Sequence, residues 1–141
     1  MAEPRVSLIT LGSRDLEKSR RFYVDGFGWK PVFENDEIIF YQLNGIILST
    51  FADAALQKDV TRGELLRPGA FALAHNVRAE SEVKALMNDL VAAGGRVLRP
   101  ADAPPIGGLR GYVADPDDHA WEIAYNPAFS IGDDGNIVFG T

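Results

Sequence analysis

The residues best placed to do chemistry lie between Gly111 and Asn126, in the stretch GYVADPDDHAWEIAYN. Two strand-like runs flank a tight turn at Asp115-Pro116-Asp117-Asp118. There proline presets φ, and the aspartates can bond nearby backbone N–H groups. On the return run, alternation puts Trp121, Ile123 and Tyr125 on one face and Ala120, Glu122 and Ala124 on the other. Glu122 is therefore a carboxylate in mid-strand between two alanines. Such a group, once buried, needs an ionic, hydrogen-bonding or metal partner. Functionally it reads as a general base or as an anchor for a polar ligand; structurally, as a hydrogen-bonded residue with no chemistry. Arg110 and Tyr112 follow the loop ADAPPIGG. They set a guanidinium and a phenol where a polar or anionic ligand group could be held. The plainer reading of Arg110 is a solvated charge.

The other reactive types are sparse. His75 and His119 are the two histidines. His119 falls in the turn and reads as a turn or surface residue. His75 shares strand parity with Phe71, Leu73 and Val77, which points it toward a helix layer as a structural residue. Asp117-Asp118 reads as turn chemistry rather than an acid–base pair, and no Ser-His-Asp arrangement is evident. Gly107-Gly108 and Gly111 make no phosphate loop, because no helix follows them. Trp29, Phe40 and Phe51 sit in strand-like segments. Each alone reads as core, and together they could wall an apolar ligand cavity. There is no cysteine, which excludes disulfides, thiolate nucleophiles and Cys-based zinc sites.

These residues need a scaffold, and its elements are legible. Arg5 to Leu11 reads as a strand, and Ser13 as the cap of a helix carrying Leu16, Ser19, Arg20, Phe22 and Tyr23 on one stripe. That helix ends near Asp25-Gly26. Trp29–Phe33, Glu37–Leu43 and Ile46–Phe51 read as strands, with Asn44-Gly45 as a type I′ hairpin signal. Residues 52–68 read as a helical turn plus linker. The order then restarts: strand Phe71–Val77, then helix Ala79–Ala93 burying Val83, Leu86, Met87, Leu90 and Val91. Gly94-Gly95 stops that helix. Strand Arg96–Arg99, a loop at 101–108, and strands Leu109–Ala114 and Ala120–Tyr125 follow. The tail is rich in Gly and Asp, with an apolar patch at Ile137–Phe139. One supersecondary unit thus occurs twice, about 65 residues apart by pattern. The expected fold is α+β: two β-α-β-β-β modules, at 5–52 and 69–127, forming a cup-shaped, barrel-like mixed sheet with helices outside. Residues 53–68 would be a linker and 128–141 a tail, all within a single 141-residue domain.

Length and charge bound the function. A chain of 141 residues fits one domain. A net charge of −6 argues against nucleic acid and anionic membrane surfaces as partners. The start MAEPRVSLITLG lacks the basic and apolar regions of a signal peptide, and no apolar run approaches the ~20 residues of a membrane span. A cytoplasmic location is the expectation.

Two segments are similar to a known family. ITLGSRDLEKSRRFYVDGFGWKPV resembles the opening of the vicinal oxygen chelate superfamily, which includes glyoxalases, extradiol dioxygenases and bleomycin-resistance proteins. Asp15-Leu16, Ser19, Phe22-Tyr23 and Gly28 carry the likeness, and ADPDDHAWEIAYNP resembles the family's terminal hairpin. The resemblance runs over about residues 5–127. It implies paired modules around a cavity, and in the metalloenzymes four ligands: His or Gln, Glu, His and Glu. Carried over one at a time, these fall on Leu8, on Leu48 or Ser49, on Ala72 and on Glu122. Only Glu122 would bind a divalent cation well. The resemblance therefore implies a degenerate metal site with no cofactor, and any divalent metal would need a non-standard site. It also implies a homodimer that holds a small organic molecule, as in bleomycin-type sequestration. The proposed ligand-binding residues are Glu122, Tyr112, Arg110, Trp29, Phe40 and Phe51. The alternative is a lyase, isomerase or dioxygenase of the glyoxalase type. It would use a displaced metal or Glu122 as base, with Arg110 or Tyr112 as electrophile. A third reading is a structural or regulatory dimer whose aromatic side chains fill the cavity.

Overall fold

A computed structural model describes residues 1–66 and 68–140. Arg67, in the segment read as linker, and Thr141, at the end of the tail, lie outside the described residues.

The first half runs β1 (Leu8–Ser13), α1 (Leu16–Arg21), β2 (Pro31–Glu34), β3 (Ile38–Gln42) and β4 (Ile47–Ala52). The second runs β5 (Leu73–Asn76), α3 (Ser81–Ala92), β6 (Arg96–Asp102), β7 (Leu109–Ala114) and β8 (Ala120–Tyr125). Between them lies α2 (Asp53–Val60), and after them a ribbon of β9 (Phe129–Ile131) and β10 (Ile137–Phe139). The sheets repeat one topology: β1-β4-β3-β2 and β5-β8-β7-β6. In each, the first strand pairs parallel with the fourth, and the other pairings are antiparallel. The architecture is α+β with two four-stranded mixed sheets that do not close into one barrel.

The α1 start is set by Asp15 rather than the expected Ser13. The Asp15 carboxylate accepts from the N–H groups of Glu17 (3.0 Å) and Lys18 (3.2 Å), as an N-cap should. Ser13 instead ends β1 and is buried. The helix continues into one π-turn, Phe22–Gly26, with the Phe27 N–H reaching the Phe22 carbonyl at 3.3 Å. Ser19, Phe22 and Tyr23 of the expected stripe are fully buried. In α3, Val83, Met87 and Leu90 are buried and Leu86 packs against them, but Val91 is 41% exposed. Val91 follows directly on Leu90, about 100° further round the helix, and turns out of the core. At the Asn44-Gly45 turn only Gly45 has positive φ (71°), so it is not type I′, which needs both central residues there. The 52–68 segment holds more helix than a single turn, eight residues in α2. β6 extends through Pro100 to Asp102 on an edge of its sheet, where a missing N–H is tolerated.

One core serves both halves. Ile39, Tyr41, Leu11 and Leu48 from the first sheet meet Trp121, Ile123 and Val113 from the second around Phe22, Tyr23 and α3. Tyr23 touches both sheets, with ring centroids 5.6 Å from Tyr41 and 6.1 Å from Trp121. The helix-side faces of both sheets are thus used up in this core. The opposite faces are open, which matters for the site.

Candidate functional site

On the open face of the second sheet, register places side chains in rows. Ala74, Glu122, Tyr112 and Arg99 follow one another across β5, β8, β7 and β6. The neighbouring row is Asn76, Ala124, Arg110 and Asp102. Glu122 therefore stands directly opposite Tyr112 and diagonal to Arg110, with Arg99 one strand further on beyond Tyr112. It is half-buried. Among the described residues, no hydrogen bond or ion pair reaches its carboxylate, so its acceptor capacity is available to a ligand.

Next to it lies a charge triad that sequence reasoning missed. Asp102 accepts from Arg99 Nε (3.1 Å) and Nη2 (2.8 Å), and its Oδ1 also pairs with Arg110 Nη1. The Arg99 guanidinium, and then that of Arg110, hold the Asp102 carboxyl below the usual carboxylate range. Two guanidinium groups share one carboxylate, which leaves one positive charge in surplus. The Arg110 side chain is 18% exposed, so the triad fixes its orientation. The available signal was Arg99 three residues before Asp102 on an edge strand; it lay inside the stretch read as strand end plus loop.

On the first sheet, the open face carries Thr10, Ser49, Phe40 and Phe33 in one row. The Thr10 and Ser49 hydroxyls bond to each other at 2.8 Å. Phe40 and Phe33 pack at 5.5 Å between centroids. Phe51 lies on the same face, in register with Gly12 and Ile38. Trp29 does not join them. It stacks on Phe27 at 4.2 Å on the core side, in contact with Trp121.

The positions carried over as metal ligands also separate. Leu8 is 43% exposed on the open face, whereas Leu48 is buried in the core, so Ser49, itself buried, is the member of that pair on the same sheet face as Leu8. Ala72 is exposed just before β5. Among the described residues, no three His, Asp or Glu side chains come close enough to hold a metal.

A second polar assembly joins the two halves. Asp115, buried at the start of the β7–β8 turn, accepts from three donors. They are the Tyr23 hydroxyl at Oδ2 (2.7 Å) and the backbone N–H groups of Asp117 and His119 at Oδ1 (both 2.9 Å).

 

The Trp121 indole N–H in turn donates to the Tyr23 oxygen (3.1 Å). Burial pushes the Asp115 carboxyl up, opposed by His119 and by the Tyr23 bond. Burial and the Asp115 charge push the Tyr23 hydroxyl well above its ordinary value. Asp118 closes the turn with φ 69°.

His119, read as a turn or surface residue, is in fact 8% exposed. Its Nε2 lies 2.8 Å from the Gly12 carbonyl, which can only accept, so Nε2 carries the proton. The turn is drawn inward because Arg14 also clamps it, donating from its backbone N (2.8 Å) and Nε (3.2 Å) to Asp117. Asp117 is therefore a buried tie, consistent with turn chemistry rather than an acid–base pair. His75 does face the helix layer, edge-on to Phe27 at 5.6 Å, and burial lowers its pKa.

No helix among the described residues is long and apolar enough to cross a membrane. No curated protein matches the chain. Among solved structures, a glyoxalase-related enzyme from Fulvimarina pelagi is 62% identical, with 99% of this chain and 100% of that one covered and a TM-score of 0.95. A lactoylglutathione lyase from Agrobacterium tumefaciens shares the fold at 18% identity, covering 88% of this chain and 95% of that one (TM-score 0.66). The fosfomycin resistance protein FosX from Mesorhizobium loti does so at 20% identity, covering 89% and 94% (TM-score 0.65). Residues 5–123 match the family described as the Glyoxalase/Bleomycin resistance protein/Dioxygenase superfamily, and with the repeated modules and terminal hairpin in place, the chain belongs to that superfamily.

Proposed function

We propose that the chain binds a small organic molecule on its open sheet faces, with a second copy completing the site. The observation that carries this reading is the Glu122 carboxylate, unpartnered among the described residues, opposite Tyr112 and with Arg110 fixed diagonally to it. Both helix-side faces are consumed by the shared core, so the polar group on the second sheet and Phe40 and Phe51 on the first cannot meet there. A homodimer would set one copy's polar face against the other's aromatic face. Leu8 and Phe33, 43% and 50% exposed on the first sheet, would gain cover from it.

The donor set at the family's ligand positions does not fit a divalent cation. Leu8 and Ala72 have no donor atoms, the Ser49 hydroxyl is bonded to Thr10, and Glu122 alone would hold a metal weakly. The function is therefore read as ligand binding around Glu122, Tyr112 and Arg110, and no step is routed through a metal. The test is a thermal-shift screen of wild type and Glu122→Gln against small aromatic acids and alcohols, and against Mn, Ni and Zn ions. A compound that raises the melting temperature of wild type but not of Glu122→Gln supports the reading. Stoichiometric metal in the purified protein, lost in Glu122→Gln, would replace it with metal-assisted chemistry of the glyoxalase type.

A further inference from the structure

A cavity of about 440 Å³ lies away from the Glu122 face, within the size range of small-molecule sites. It is bounded by the end of β1, by α2, by residues 61–66 and by the β7–β8 turn. Gly12 is its floor. A Cβ there would stand 2.8 Å from Asp53 Oδ1, 3.3 Å from Leu56 Cδ2 and 3.4 Å from Leu65 Cδ1. Gly12 is four residues from Leu8 along β1, about 13 Å, so this space is separate from the positions carried over as metal ligands.

The wall is rich in acceptors and short of donors. His119 gives its Nε2–H to the Gly12 carbonyl, and its Nδ1 is buried with no hydrogen-bond partner among the described residues. Asp117, 6% exposed, takes both Arg14 bonds on Oδ1, and no described residue donates to its Oδ2. The rest of the Arg14 guanidinium is bonded to the Pro116 carbonyl at 2.9 Å. Asp53 is half-buried, and its carboxylate has no hydrogen bond or ion pair among the described residues. Arg62 and Glu64, both exposed, place one charge of each sign at the mouth. Leu56 and Leu65 supply an apolar side.

A ligand that satisfies this wall must bring N–H donors and positive charge on an apolar body. We infer that the cavity is a second binding site, for a small organic cation whose ammonium or amidinium group meets Asp53 while its apolar part rests on Leu56 and Leu65. The inference is independent of the ligand proposed at Glu122.

The test is an amide NMR titration of the full chain with benzylammonium chloride, with benzoate and benzyl alcohol as shape-matched controls. Saturable shifts are expected at Gly12, Leu56 and His119 with benzylammonium, and none at Tyr112 or Glu122. Asp53→Asn, at the first position of an exposed helix, should keep the native spectrum and weaken benzylammonium about tenfold. Equal saturation by all three probes would overturn the inference. So would unchanged affinity in Asp53→Asn, or shifts confined to Tyr112 and Glu122.

Discussion

Replacing Tyr23 by Phe would isolate the bond that ties the two halves. The ring contacts with Phe22, Tyr41 and Trp121 would remain, and only the hydroxyl would go. Two bonds are lost: one to a buried carboxylate at 2.7 Å and one from the Trp121 indole at 3.1 Å. A bond to a charged group contributes about 1.5–3 kcal/mol and a neutral one about 0.5–1.5 kcal/mol, so the expected loss is about 2–4 kcal/mol. For a domain of this size that is a fall of about 6–12 °C in Tm. The penalty should also depend on pH. Asp115 has a raised folded pKa, so its stabilising contribution is full below the ordinary carboxylate value of 3.8 and is lost as pH rises through the native value. The Tyr23 hydroxyl limits that loss by bonding the ionised form. Urea unfolding of both proteins should therefore show a wider gap at about pH 8 than at about pH 4. A gap under about 1 kcal/mol at the higher pH, or the same gap at both, would refute the reasoning.

Gly95→Ala would place a Cβ 2.7 Å from Phe22 Cε2, 2.8 Å from Val113 Cγ1 and 2.9 Å from the Leu90 carbonyl, so denaturant unfolding should show a loss of about 1–3 kcal/mol or more. Thr61 sits at φ 60° on an exposed helix end, and Thr61→Gly should raise stability by about 1 kcal/mol in the same assay. Burial lowers the His75 pKa below 6.5, so its contribution is full above that pH and lost as pH falls through the native value. His75→Gln should flatten the acid limb of a Tm–pH profile, and an unchanged limb would count against the assignment.

What was legible in the sequence was whatever local chemistry decides. The β7–β8 hairpin follows from alternation around a Pro-Asp turn, and the repeated order follows from two helical stripes each trailed by strands. Glu122, Tyr112 and Arg110 fall on one face because strand parity has period two. The misses share a cause in distant contacts. Ser13 and Asp15 are both good caps by residue type, and only the burial of Ser13 decides between them. His119 looks like a surface turn residue until Gly12, 107 positions earlier, accepts its proton. Arg99 and Asp102 gain meaning only once β6 pairs with β7 and brings Arg110 onto the same carboxylate. Trp29 and Phe40 are both strand-region aromatics by sequence, yet one stacks in the core and the other faces out.

The partners of Tyr23 are far away along the chain: Asp115 is 92 residues on and Trp121 is 98. At synthesis rates of about 5–20 residues per second, roughly 5–20 s separate the emergence of Tyr23 from that of Trp121. Once Ala52 has emerged, and for the rest of that interval, the first half has the residues of its sheet and helix but not the surface that closes over Phe22, Tyr23 and Phe27. A nascent chain at this stage exposes sticky aromatic side chains, so the protein's period of greatest risk of aggregation falls before its last hairpin is made.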